Sequence, residues 1–240
     1  RSISEVIGLK QNSNGKTGVV WVRTSGFNQR DEKVIEYIRW VMIRKRDYNS
    51  SEPTTIIPKL KPCLTVKDLI IPEGLSFENY NYELSGDKYR LNDYSIGETI
   101  NHVDGVTIEE AEHMMATRIW QNTAKVHYDV TQRKDGSRLV YGGHVISLAR
   151  SLSFNGMANA QLIAAINSGS HVNPCVAGDT VTAWSEILDA SETDEVSIGA
   201  IRIRLVAMKN SSDSFELRKE DGKYNANVLL DLDYWAFIPR

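Results

Sequence analysis

Gly199-Ala200-Ile201-Arg202-Ile203-Arg204 repeats the pattern of Gly18-Val19-Val20-Trp21-Val22-Arg23 at an offset of 181 residues, 199 less 18. Ser185-Glu186-Ile187-Leu188 repeats Ser4-Glu5-Val6-Ile7 at the same offset, 185 less 4. Two matches in one register, both in alternating β-type sequence, predict an internal duplication. The closing strands, Arg39-Trp40-Val41 and Tyr234-Trp235-Ala236, pair at an offset of 195, 235 less 40. The extra residues fall in the polar loop Lys209–Lys223, where lengthening costs little loop entropy.

Each copy therefore ends in a run of antiparallel strands. In the first, the strand Ser2–Leu9, the turn Asn12-Ser13-Asn14-Gly15 and the strand Val19–Val22 make one hairpin, and Asn28-Gln29-Arg30-Asp31 turns the chain into Val34–Ile43. Pro53, Pro58, Pro62 and Pro72 mark residues 47–75 as an extended crossing segment. Thr107-Ile108-Glu109-Glu110 reads as a capping box, with Ala111, Met114, Met115 and Ile119 at helical spacing behind it. A second helix is predicted from about His144 to Phe154. Val145, Ile146, Leu148, Ala149 and Leu152 make it apolar over most of its circumference, so it should be buried, and Asn155-Gly156 should stop it. A third apolar run, Gln161–Ile166, leads into strands from Val181 onward.

The expected architecture is α+β: an antiparallel sheet wrapped on a buried helix, complete over 91–240, with residues 1–46 supplying only the last strands of a first copy and 47–90 a linker. On the repeat argument, about 90 residues are expected to precede Arg1.

Composition limits the function. The 240 residues carry a net charge of −3, with 41% hydrophobic and 25% charged, so no basic face points to nucleic acid and no apolar run reaches the length of a membrane helix. Cys63 and Cys175 are isolated from each other and from histidines, which predicts neither a disulfide framework nor a zinc site. A reducing cytoplasm is the expected compartment.

Four segments carry a resemblance: Gln121-Asn122-Thr123-Ala124-Lys125-Val126-His127-Tyr128-Asp129, Leu139-Val140-Tyr141-Gly142-Gly143-His144, Asn167-Ser168-Gly169-Ser170-His171-Val172 and Ala177-Gly178-Asp179-Thr180-Val181. Over most of its length the chain resembles the MaoC-like enoyl-CoA hydratase family, which has the double hotdog fold, and within it the mesaconyl-CoA hydratases, or β-methylmalyl-CoA dehydratases. The resemblance implies a hydro-lyase acting on an enoyl-CoA thioester, with no cofactor beyond the CoA of the substrate, and a homo-oligomer.

In that family an Asp-x-Asn-Pro-x-His signature overhangs the central helix. Carried over, His127 takes the His position and Asn122 the Asp position. An amide cannot accept a proton as a carboxylate does, so His127 would act as acid–base and Asn122 would orient water. The family's oxyanion hole falls on Gly143. Without side chains, Gly142-Gly143 lets a thioester oxygen approach amides at the helix start. Tyr141, Gly142 and His144 are expected to line the substrate pocket.

Plainer readings remain beside these: a structural His127, a glycine pair needed only for a tight loop, and Glu109, Glu110 and Glu112 as a solvated helix face. Two other functions also stay open. One is a non-catalytic acyl-CoA-binding module with the active site in a missing first repeat, favoured by Asn122. The other is a thioesterase, against which stands the lack of any Asp or Glu between 136 and 178.

Overall fold

The structure is a computed structural model and describes residues 1–211 and 215–240. It divides into two units, Arg1–Lys61 and Pro62–Arg240.

The first unit is an antiparallel meander of β1 (Ser2–Gln11), β2 (Thr17–Phe27) and β3 (Lys33–Arg44). Asparagines build both of its turns. Asn14 Oδ1 accepts from the amides of Lys16 and Thr17, and Asn28 Oδ1 from those of Arg30 and Glu32. Ile56 then pairs with Leu9 on the free edge of β1.

The second unit adds a short helix α1 (Tyr82–Ser85), strand β4 (Thr99–Thr107), helices α2 (Glu110–Ile119) and α3 (Gly142–Leu152), a turn α4 (Phe154–Met157), and strands β5 (Leu162–His171), β6 (Thr180–Glu192), β7 (Ile198–Lys209) and β8 (Val228–Pro239). The sheet runs β4-β6-β7-β8-β5, antiparallel throughout. One face closes on α3: Val145, Ala149 and Leu152 pack with Ile187, Ile203, Leu205 and Tyr234. On the other face Trp235 and Phe237 lie under Leu64, Val66, Leu69 and Phe77, and the Trp235 indole N–H donates to Leu64 O at 3.0 Å. Two covered faces explain why β7 and β8 are apolar almost without interruption. Among the described residues no helix is long and apolar enough to cross a membrane.

The duplication is visible in the pairing itself. Val6 faces Val22 and Trp21 faces Trp40. Ile187 faces Ile203 and Arg202 faces Trp235. The register slips between Val6 and Gly8 in β1, and between Ile187 and Asp189 in β6, the same place in each copy. Of the loop taken to hold the extra residues, 212–214 lie outside the described residues.

Local expectations were met unevenly. The buried helix begins at Gly142, two residues before the predicted start, because the glycine pair forms its first turn rather than a loop. Gly156, at φ 90°, ends the helical path as expected. Thr107 caps nothing: it closes β4, where its hydroxyl meets Thr180 Oγ1 at 2.7 Å, and Glu109 is the N-cap of α2. Of the run Gln161–Ile166, Leu162 onward is the start of β5.

Candidate active site

Residues 120–139 cross from α2 to α3 through two single 3₁₀ turns, Lys125–His127 and Val130–Gln132. A reciprocal pair of bonds fixes this crossing. His127 Nδ1 lies 2.9 Å from Leu139 O, and Leu139 N donates to Val126 O at 3.0 Å. A carbonyl oxygen only accepts, so Nδ1 carries the hydrogen and Nε2 of the neutral ring is left with its lone pair. The crossing is also anchored to α2, since Glu110 holds both the Arg138 guanidinium and, at 3.2 Å, Nε2 of the fully buried His113.

Tyr141 lies edge-on to the His127 ring, 5.9 Å between centroids. It also lies over Gly143, where a Cβ would come within 2.6 Å of its ring. At Gly142 a Cβ would come within 2.5 Å of His171 Nε2. A side chain at either glycine would have to push a ring aside, and the two rings lie over the start of α3. The Tyr141 carbonyl takes the amides of His144 and Val145, and among the described residues the amides of Gly142 and Gly143 donate to no backbone acceptor.

His127, Tyr141, Gly142, Gly143 and His171 therefore converge. His171 carries no role in the sequence reading, although its segment is part of the resemblance. His171 is an exposed residue, yet desolvation by surrounding protein, with the neighbouring His127 charge, pulls its pKa below the ordinary histidine value.

Two expected site residues lie elsewhere. Asn122 Oδ1 accepts the Ala124 amide at 2.9 Å, and the residue lines a cavity of about 340 Å³ with Met114, Thr117, Arg118 and Tyr128. His144 is buried and turned toward α2, its Nε2 2.8 Å from Glu112 Oε1. That contact, with the Glu110 pairs, corrects the reading of Glu110 and Glu112 as a merely solvated face: both tie α2 to its surroundings.

His102 has no exposed surface, with Nδ1 on Asn155 O at 2.7 Å and Nε2 on Ser185 Oγ at 2.8 Å. Cys63 and Cys175 are free thiols, and burial pushes that of Cys175 up to about 12, far from a nucleophile's range. Among the described residues no three His, Cys, Asp or Glu side chains converge as metal ligands would.

No family model matches the chain. It is 62% identical over 240 residues to mesaconyl-CoA hydratase of Cereibacter sphaeroides, spanning 100% of this chain and 70% of that protein. It is 55% identical over 242 residues to β-methylmalyl-CoA dehydratase of Chloroflexus aurantiacus, spanning 99% of this chain and 69% of that one. A crystal structure of a MaoC domain protein from Chloroflexus aurantiacus superposes with a TM-score of 0.95 at 55% identity, covering 100% of this chain and 70% of the other. A double hotdog protein of Mycobacterium tuberculosis superposes at 0.66 with 20% identity, over 100% and 69%, a likeness of fold alone.

Proposed function

This chain belongs to the MaoC-like enoyl-CoA hydratase family, and from that premise we propose that it catalyses the reversible syn addition of water across the double bond of a branched, dicarboxylic enoyl-CoA such as mesaconyl-CoA. The names of both similar proteins, a hydratase and a dehydratase, support one reaction read in its two directions. The register and bulge shared by the two meanders support reading residues 1–46 as the last strands of a first hotdog copy.

The observation that carries the mechanism is the fixed tautomer of His127 beside the open amides of α3. Nε2 takes a proton from water as the oxygen bonds to Cβ. The electron pair of the double bond moves toward the thioester, and the Gly143 amide donates to the oxygen that gains charge. Nε2–H then returns its proton to Cα on the same face, so the histidine ends as it began. Tyr141 keeps the imidazole in place from the side. Asn122, whose carbonyl accepts the Ala124 amide, acts chiefly by holding the turn before His127. The CoA belongs to the substrate, and the chemistry calls on no further group.

The test follows the loss of the conjugated enoyl thioester in the ultraviolet. His127→Ala is expected to lower kcat by at least about a hundredfold without loss of fold. Unchanged turnover would remove His127 from the mechanism, and release of free CoA thiol in place of hydration would mark a thioesterase.

A further inference from the structure

This inference rests on the hydration proposed above. In a dicarboxylic enoyl-CoA the double bond joins two carbons. One carries the thioester, and the other, Cβ, carries a free carboxylate. His127 brings water to Cβ, so the group that holds the carboxylate must stand beside His127 and within reach of the start of α3.

His171 stands there. Its ring covers Gly142, one residue from the Gly143 amide, with Nε2, Cε1 and Cδ2 all 2.5–2.9 Å from where a Cβ would be. It comes from the last residue of β5, a different element from the one that carries His127, so it faces the site from another side. The charge that acts on it is that of His127, not of a carboxylate. Among the described residues, none hydrogen-bonds to either ring nitrogen. Arg138, four residues before Gly142, is already paired with Glu110. A histidine with unbonded ring nitrogens, free of a protein carboxylate, is built to receive one from a ligand.

We propose that His171 binds the free carboxylate of the acyl group and sets the preference for dicarboxylic over monocarboxylic thioesters. The neutral ring donates one N–H to the anion. The bound carboxylate in turn favours the protonated ring and makes the bond charge-assisted.

Succinyl-CoA and butyryl-CoA test this directly: they differ in the carboxylate, and neither can be hydrated. By calorimetry the wild-type protein is expected to bind succinyl-CoA about tenfold to a hundredfold more tightly, the range of one charged hydrogen bond. His171→Phe is expected to abolish that preference while leaving butyryl-CoA affinity unchanged. On mesaconyl-CoA it should raise KM more than it lowers kcat. His171→Gln, which keeps a donor and is the gentler change, is expected to restore part of the preference; if the phenylalanine variant melts early, the glutamine variant decides. Equal wild-type affinity for the two thioesters overturns the proposal, as does a fall in both affinities together. A wild-type protein that hydrates no enoyl-CoA defeats the hydratase reading instead, and the calorimetry separates the two failures.

Discussion

The imidazole of His171 occupies the place a side chain on residue 142 would take, with Nε2 2.5 Å from that Cβ position. Gly142→Ala must therefore displace the ring. A histidine side chain can swing, so the fold should survive. We expect kcat/KM on a dicarboxylic enoyl-CoA to fall about tenfold or more, since small misplacements at a site are costly. Kinetics identical to wild type would mean that the position of His171 is immaterial.

Gly143→Ala makes a different demand. The new methyl meets the Tyr141 ring at 2.6–2.8 Å, and that ring is the neighbour of His127. The expected loss lies in kcat for every enoyl-CoA tested, monocarboxylic or not. A loss confined to dicarboxylic substrates would contradict this division of labour between the two glycines.

Asn122→Asp keeps the acceptor for the Ala124 amide, whereas Asn122→Ala removes it. Turnover should stay within a few-fold of wild type in the first and drop about tenfold in the second, the penalty of one lost turn-fixing hydrogen bond near the site. If neither variant alters the rate, Asn122 has no part in the chemistry.

His102 links stability to pH. Burial holds its pKa below 6.5, against the pull of the Asn155 carbonyl, and the Arg150 charge lowers it further. A folded-state pKa below the unfolded one means the unfolded chain takes the proton first. The contribution is whole above pH 6.5 and shrinks as pH falls below it. His113 and His171 shift in the same direction. Melting temperature should fall as pH drops from above 6.5 toward the folded-state values, and His102→Gln should flatten part of that slope; an equally steep slope would assign the effect to other groups.

Arg202 meets Asp233 with two bonds, 2.9 and 2.5 Å, and Asn167 donates to the same carboxylate at 2.8 Å. Asp233→Ala leaves the guanidinium unpaired on a covered sheet face. The expected destabilisation is about 3 kcal/mol by denaturant titration. A change under about 0.5 kcal/mol, the level of a surface substitution, would show the pair to be dispensable.

What the sequence made legible was local or repeated. The matches at Gly18 and Gly199 locate β2 and β7, the two tryptophan-bearing closing strands are β3 and β8, and the apolar stretch behind Gly143 is the buried helix. His127 and the glycine pair were reached through the family resemblance, since a lone histidine or a glycine pair fits a structural role equally well. His171 was not, because its approach to Gly142 depends on β5 lying beside β8, a pairing that links distant parts of the chain. Thr107 misled for a related reason: a good cap residue was claimed by the sheet through Thr180. Glu110 and Glu112 carry the same local pattern whether a helix face is solvated or, as here, paired.

The matching slips in β1 and β6 have a consequence for how such a sheet tolerates change. In the second meander Arg202 and Asp233 stand diagonally across β7 and β8; the corresponding places in the first hold Trp21 and Ile38. One meander has opposite charges at these places and the other two apolar residues, yet the backbone alignment and its irregularity coincide. Strand alignment in this protein thus follows the chain's path and its kink, and the same register accommodates either an ion pair or apolar residues at these places.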